Sequence, residues 1–259
     1  MKEEKMNMDQ GHWILAKLGK RVLRPGGREL TNMMMDILNI TPQDDVVEFA
    51  PGMGYTASLA VARSPHSYTA IELNEEAADI VRKNIHYAKA EVVIANAAAT
   101  GLADGCASRV YGEAMLTMQS DAQKESIIRE ASRLLRPGGM YGIHEVGLYP
   151  DDISEDIKDK VRVDMMKSIR VNVRPLTRLE WCALLEKHGF EIVAVRQNAM
   201  HLLERDRMIA DEGFWRFLGI VIRMMFHPKA RARVIQMRKT FRRHADHINA
   251  ISIVARKLK

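Results

Sequence analysis

Cysteine is almost missing from this chain: Cys106 and Cys182 are its only two, and they lie far apart in sequence. That argues against a disulfide framework and against a clustered zinc site, so no metal is expected and a reducing compartment is favoured. No apolar run reaches the roughly 18 residues of a membrane span. Phe214–Phe226 (FWRFLGIVIRMMF) comes nearest and is closed by Pro228. Met1–Gln10 is charged and polar, so no signal peptide is read there and the cytoplasm is the expected location. Aromatic residues make up only 6%, and few are interleaved with the basic residues near the C-terminus, which leaves a nucleic-acid interface short of stacking groups. Acidic charge is also thin at that end. Glu204–Lys259 holds 14 Lys/Arg against 5 Asp/Glu, about +9, and since the whole chain is +6, the first 203 residues carry about −3.

What is present is enough for one substantial core: 259 residues, 47% of them hydrophobic. The chain is organised around Val46–Ala57 (VVEFAPGMGYTA). Val46, Val47 and Phe49 suit a buried parallel strand, Pro51–Gly54 break it, and Tyr55–Ala62 reads as a helix whose free amides face the turn. Gly52, Gly54 and Ala57 satisfy a nucleotide-binding glycine pattern. Glu48 ends the strand, and Glu72, with Leu73 after it, closes the next apolar segment, Tyr68–Ile71. A carboxylate at the second position can hold ribose hydroxyls; one at Glu48 suits a cationic ligand group, which a nicotinamide dinucleotide lacks beside its pyrophosphate.

Across roughly Thr41–Asn198 and a last C-terminal strand, these residues resemble the class I S-adenosylmethionine-dependent methyltransferases, and within them the small-molecule branch similar to ubiquinone and menaquinone methyltransferases. The resemblance implies an α/β, Rossmann-like seven-stranded sheet, mostly parallel with an antiparallel last strand and helices on both faces. N-terminal helices and a helical insertion before the last strand would be added to it. It also implies S-adenosyl-L-methionine as cofactor and S-adenosyl-L-homocysteine as product. Where the family has an acid and three spaced glycines, this chain has Glu48, Ala50, Gly52 and Gly54; Ala50 replaces the first glycine, at little cost unless positive φ is needed. Where the family places an acid against the adenine amino group, Asn96 and Ala97 stand after the strand Glu91–Ala95. The amide oxygen of Asn96 can still accept that hydrogen bond, although Asn is also a turn former.

The fourth strand and its loop fall in Arg109–Met118, and ligands in open α/β sheets lie beyond the carboxyl ends of strands, so Glu113 should line the pocket. GEAML there lacks the Asp/Asn, proline pair and aromatic that the family's base-amino enzymes carry. Ser126–Leu135 is a helix that runs into Arg136–Gly139; the resulting LRPGG resembles the small-molecule branch, and the copy at Leu23–Gly27 is read as helix-ending chemistry. The fifth strand, Met140–Val146, delivers His144 and Glu145 to the same rim on opposite faces. His144 is a candidate base, Glu145 a candidate to bind a cationic acceptor or orient a proton donor, and Glu113 a candidate for catalysis or cofactor contact. Residues 1–40 form an expected helical cap, with Trp13–Leu23 as its first helix and Leu30, Met33, Met34, Ile37 and Leu38 striping its second. His12 and Trp13 could reach the acceptor or pack against the sheet. Ile153–Ile169 reads as a lid helix with Val161, Met165 and Met166. Thr177 and Glu180 make a capping box ahead of Trp181–Lys187. Residues 41–203 and 247–259 would form the core, with Glu191–Val195 and Ile248–Ala255 as its last strands, and 204–246 a basic helical insertion.

The function expected is methyl transfer to an O, N or C atom of a small acceptor, lipophilic or anionic, by in-line displacement with water excluded. Alternatives are an RNA-directed methyltransferase or RNA-binding module guided by the basic C-terminal helices, and an NAD-type oxidoreductase. A homodimer and peripheral membrane contact are compatible partners; nucleic acid is disfavoured.

Overall fold

The computed structural model describes residues 10–259. Residues 1–9 and the side chain of His12 lie outside the described residues, and with them the start of the expected cap. The elements run α1 (Gly11–Lys17), α2 (Gly27–Leu38), β1 (Asp45–Phe49), α3 (Tyr55–Val61), β2 (Ser67–Glu72), α4 (Glu75–Asn84), β3 (Ala90–Ile94), β4 (Ala107–Glu113), a 3-10 turn at Leu116–Met118 and α5 (Asp121–Leu134). They continue with β5 (Leu135–Leu148), α6 (Glu155–Ile169), β6 (Leu176–Thr177), α7 (Arg178–Lys187), β7 (Phe190–Ala199), α8 (Arg205–Glu212), α9 (Phe214–Phe226), α10 (Pro228–Arg243) and β8 (Ile248–Lys257).

The sheet order is β3-β2-β1-β4-β5-β8-β7, with β8 antiparallel to both β5 and β7 and the other pairs parallel. This is the expected architecture, with the two-residue β6 added alongside β5 as an eighth strand. Residues of alternate parity divide the core between the faces: Val47, Phe49, Ile143 and Ile251 pack under α5 and α7, while Val46, Tyr68, Ala70 and Tyr111 pack under α2 and α3. Local signals explain much of this. Asn74 accepts from the Ala77 N–H at the start of α4, and Thr177 and Glu180 exchange the expected reciprocal bonds at the start of α7, 3.2 and 2.7 Å. α2 buries Leu30, Met34, Met35 and Leu38 against the sheet, where Gly142 lets it come close.

Two expectations at the N-terminal side change. The helix read over Trp13–Leu23 stops at Lys17, because Gly19 takes φ +94° and the next N–H groups turn outward to a carboxylate: Arg21 and Val22 both donate to Glu212 Oε1, at 2.7 and 2.8 Å. The LRPGG at Leu23–Gly27 ends no helix; it follows irregular chain and, through Gly26 and Gly27 at positive φ, starts α2. Its second copy does terminate α5, but β5 already begins at Leu135, paired with Ala107 ahead of a bulge.

A second core sits above the carboxyl ends of the strands. α1, α6, α8, α9 and α10 share it with the ends of β5 and β8, through Leu15, Met165, Met208, Ile220, Met237 and Phe241 among others. Polar contacts fix it to the N-terminal segment: Lys20 is wholly buried 3.7 Å from Asp211 and 3.8 Å from Glu212, and Asp211 accepts from the Arg28 N–H at 2.9 Å. Burial lowers the Lys20 pKa against the pull of those two carboxylates. Glu212→Ala should therefore destabilise the fold by roughly 3–5 kcal/mol, since it leaves the buried ammonium with Asp211 alone and frees two N–H groups. The measurement is equilibrium urea unfolding; a loss below about 1 kcal/mol would deny this clamp its role.

Candidate functional site

The site forms where β1, β2 and β4 end and the helical cap covers them. Glu48 and Glu72 come from β1 and β2, Glu113 from β4, and the turn Ala50–Gly54 runs between β1 and α3. Three of its residues have left-handed backbone: Ala50 at φ +51°, Gly52 at +57° and Gly54 at +76°. The glycine replaced in this chain is thus one whose conformation still favours glycine, and Ala50 holds it, pinned by its N–H to Ile71 O at 2.9 Å. At Gly52 an added Cβ would meet nothing within 4 Å, so a ligand can come against bare backbone there. Gly54 is the N-cap of α3 and supplies no side-chain acceptor, which leaves that helix's first N–H groups directed outward.

Each carboxylate has a different environment. Glu72 is nearly buried and accepts from the backbone N–H groups of Asn74 (3.1 Å), Leu73 and Gly52; burial nevertheless raises its pKa. Glu48 is buried on the floor and accepts from Tyr68 Oη (2.5 Å) and Tyr111 Oη (2.6 Å). Desolvation outweighs those bonds, and with the charge of Glu113 nearby its pKa is pushed up to about 7. Glu113 behaves oppositely. Burial works against its charge, but the Arg24 guanidinium at 2.5 Å, His144 Nδ1 at 2.8 Å and the Thr31 hydroxyl at 2.6 Å hold its pKa down at about 2, and Thr56 donates as well.

Arg24 is the residue that sequence reasoning missed. Its guanidinium stacks 5.0 Å above the Tyr55 ring, is nine-tenths buried, and leaves Nε and Nη2 without a partner in the cavity wall. The signal available was the repeated LRPGG, whose first copy carries this arginine.

One cavity of about 290 Å³ joins these groups to an apolar chamber. Glu48, Ala50, Gly52, Glu72 and Glu113 line it together, and Trp13, Met115, Met165, Val171, Met237 and Phe241 wall the far end. Gly54 stands at the helix start just behind. Leu73, Asn96 and Ala97 do not line the cavity: Leu73 and Asn96 are exposed beside it, Ala97 packs partly against the core, and the Asn96 oxygen accepts from Ala98 N–H at 2.8 Å in a local turn. Of the lid residues, Met165 faces the chamber and Met166 faces outward.

The candidate catalytic groups are also placed apart from the chamber. His144 is sealed behind Glu113, with Nδ1 on that carboxylate. Glu145 accepts from Met115, Leu116 and Thr117 N–H (2.8–3.0 Å) and from the Thr117 hydroxyl (2.6 Å), so it shapes the loop after β4. Neither lines the cavity; the expectation that one of the two faces a substrate yields to two positioning roles. Among the described lining residues there is no His, Cys, Lys or Asp.

Comparison with known proteins bears on the fold that carries this site. A family described as a methyltransferase domain matches residues 46–139. An uncharacterized protein of Haemophilus influenzae is 32% identical over 251 residues, covering 95% of this chain and 98% of its own length. Among solved structures, phosphoethanolamine N-methyltransferase 2 of Haemonchus contortus in complex with S-adenosyl-L-methionine superposes with TM-score 0.72 at 15% identity, over 98% of this chain and 59% of that one. The 4+2 cyclase SpnF superposes with TM-score 0.71 at 17% identity, over 96% and 94%. At such identities the likeness is one of fold.

The strain at position 50 is directly testable. Ala50→Gly should raise unfolding stability by roughly 0.5–1 kcal/mol, the left-handed penalty less the added chain entropy of glycine. A lowered urea midpoint would show that this turn is not strained in solution.

Proposed function

Because the chain belongs to the class I S-adenosylmethionine-dependent methyltransferases, we propose that it methylates an O, N or C atom of a small apolar acceptor seated in the methionine-walled chamber. One observation carries this reading: a single cavity runs from the carboxylates and bare backbone at the ends of β1 and β2 to a largely apolar chamber under the helical cap, where Arg21 is the one other charged residue among the described lining residues besides Arg24 and the three glutamates. The residues present suit the cofactor. Glu72 would hold a ribose diol, Glu48 the ammonium of the methionyl end, and Arg24, whose Nη2 has no hydrogen-bond partner, its carboxylate. When bound, the cofactor supplies an electrophilic methyl group on a positively charged sulfur.

The chain's own work is then alignment and exclusion of water. Met115, Met165 and Met237 present adaptable apolar walls, and Trp13 and Phe241 close them. Glu113, with a pKa of about 2 and four partners, is a poor proton acceptor; it keeps Arg24 aimed and the ends of α2 and α3 together. With Glu48 and Glu72 given to the cofactor and Glu113 fully engaged, the described lining residues offer no other carboxylate and no imidazole as a base, so the acceptor brings its own lone pair, as an amine, a phenolate or a stabilised carbanion does, and position rather than proton abstraction sets the rate.

Calorimetry tests the polar end. Glu72→Ala should weaken S-adenosyl-L-homocysteine binding by at least about tenfold, which is roughly 1.4 kcal/mol. With Glu48 near half-protonated at pH 7, an ammonium beside it lowers its pKa, so binding should release up to about half a proton there, read from the dependence on buffer ionisation enthalpy, and Glu48→Gln should abolish the release. Unchanged affinity in the first variant and no proton release in the wild type would both count against these assignments. At the other end, labelled cofactor should pass its methyl to lipophilic amines or phenols and not to their charged, polar analogues. The reverse preference would refute the apolar acceptor.

A further inference from the structure

We propose that the outward face of α9, together with the cationic groove beside it, docks this protein on an anionic phospholipid bilayer. This does not rest on the methyl-transfer reading, since no residue of the cavity takes part. At about 100° per residue, Phe214, Trp215, Leu218, Ile222, Met225 and Phe226 fall within one sector of about 120° on α9. All six are exposed, Trp215 at 80%, Phe226 at 78% and Met225 at 65%. The helix is not loose: Ile220 is buried in the upper core with Phe217 and Met224 against it, and Arg223 Nε donates to Leu18 O at 2.7 Å. Its orientation is thus fixed with large apolar side chains turned to solvent.

Charge selects the occupant. From residue 214 to residue 243 there are nine Lys/Arg and no Asp or Glu. Glu204 engages Arg238 and Arg242, whereas Lys229, Arg231 and Lys239 are exposed without an acidic partner among the described residues. Where α9 meets α10, a groove of about 750 Å³ opens between α1 and α10, and Lys17 and Lys229 line it, with no carboxylate among the described lining residues. Phosphodiester headgroups match that groove, and the acyl region beneath them matches Trp215 and Phe226. Only a lipid surface offers both phases at once. A second copy paired by two-fold symmetry would set this cationic surface against itself, and RNA has no apolar phase for Ile222 and Met225. α9 has 13 residues, about 20 Å, and no helix among the described residues is long and apolar enough to cross a membrane, so the contact lies in the plane of the interface.

The test is co-sedimentation of the full chain with vesicles of phosphatidylcholine alone or with about one-third phosphatidylglycerol. Binding should require the anionic lipid and fall on the order of tenfold between about 0.1 M and about 1 M salt. Trp215→Glu with Phe226→Glu should remove it, and Lys229→Ala with Arg231→Ala should weaken it on the order of tenfold. Both pairs are on the surface, so thermal midpoint and cofactor affinity should stay at wild-type values; that keeps loss of docking distinct from misfolding or from a failed cofactor site. No binding to anionic vesicles at the lower salt, equal binding to neutral ones, or vesicle binding untouched by the double glutamate variant would each overturn the proposal. So would a dimer in sedimentation velocity, or a single-stranded RNA complex, that disappears with those same two substitutions while vesicles stay unbound.

Discussion

The carboxylate of Glu113 is buried at the carboxyl end of β4, yet it stays ionised because partners from four separate segments reach it: Arg24 from the irregular stretch after α1, Thr31 from α2, Thr56 from α3 and His144 from β5. A buried charge of this kind is costly with any partner missing, so it ties those segments to one arrangement. The sheet end, the first turn of α3 and the N-terminal segment are thereby brought to a common point. Nη1 of Arg24 is committed to Glu113 and the ring of Tyr55 supports the guanidinium, so this cavity-lining arginine keeps Nη2 without a hydrogen-bond partner.

That arrangement depends in turn on the far end of the chain. Arg24 lies in a stretch without regular hydrogen bonding of its own, and the N–H groups flanking it, of Arg21, Val22 and Arg28, are taken by Glu212 and Asp211 at the end of α8. The insertion before the last strand therefore shapes the cavity twice: α8 holds the arginine segment in place, and α10 contributes Met237 and Phe241 to the chamber wall. This explains why a chain of uneven charge keeps two acids at the end of α8. They answer the buried Lys20 and the open backbone beside it, whereas the basic residues of α10 face outward.

What could be read from the sequence was what is local. The strand, turn and helix around Glu48, Gly52 and Gly54 and the capping box at Thr177 and Glu180 each depend on residues a few positions apart, whereas the antiparallel direction of the last strand was implied only by the family resemblance. The misreadings involve distance. The helix begun at Gly11 does not continue past Lys17, and a carboxylate almost two hundred residues away takes the N–H groups of Arg21 and Val22 that a longer helix would have used. His144 and Glu145 sit on the expected strand, but which partner each meets depends on the loop after β4 and on Glu113, and neither is visible in the MYGIHEV pattern. Asn96 turns its oxygen to its own backbone, an option its residue type had already allowed. At Ala50 residue type and conformation disagree, and there the fold accepts strain that a glycine would have avoided.

α9 and α10 are neighbours of similar size, both lying on the helical cap, yet their outward faces obey opposite rules. α10 follows the ordinary pattern, apolar inside at Val234, Met237 and Phe241 and charged outside. α9 already has its inward contacts in Phe217, Ile220 and Met224, so its outer face could have been polar without loss to the core. Six large apolar side chains there favour aggregation and add nothing to packing within the chain. They are bordered by Arg216, Arg223 and the basic start of α10, the combination that separates an interfacial helix from a mere excess of hydrophobicity. The same helical cap therefore carries apolar side chains in two places, on the outward face of α9 and, through Met165, Met237 and Phe241, in the wall of the cavity.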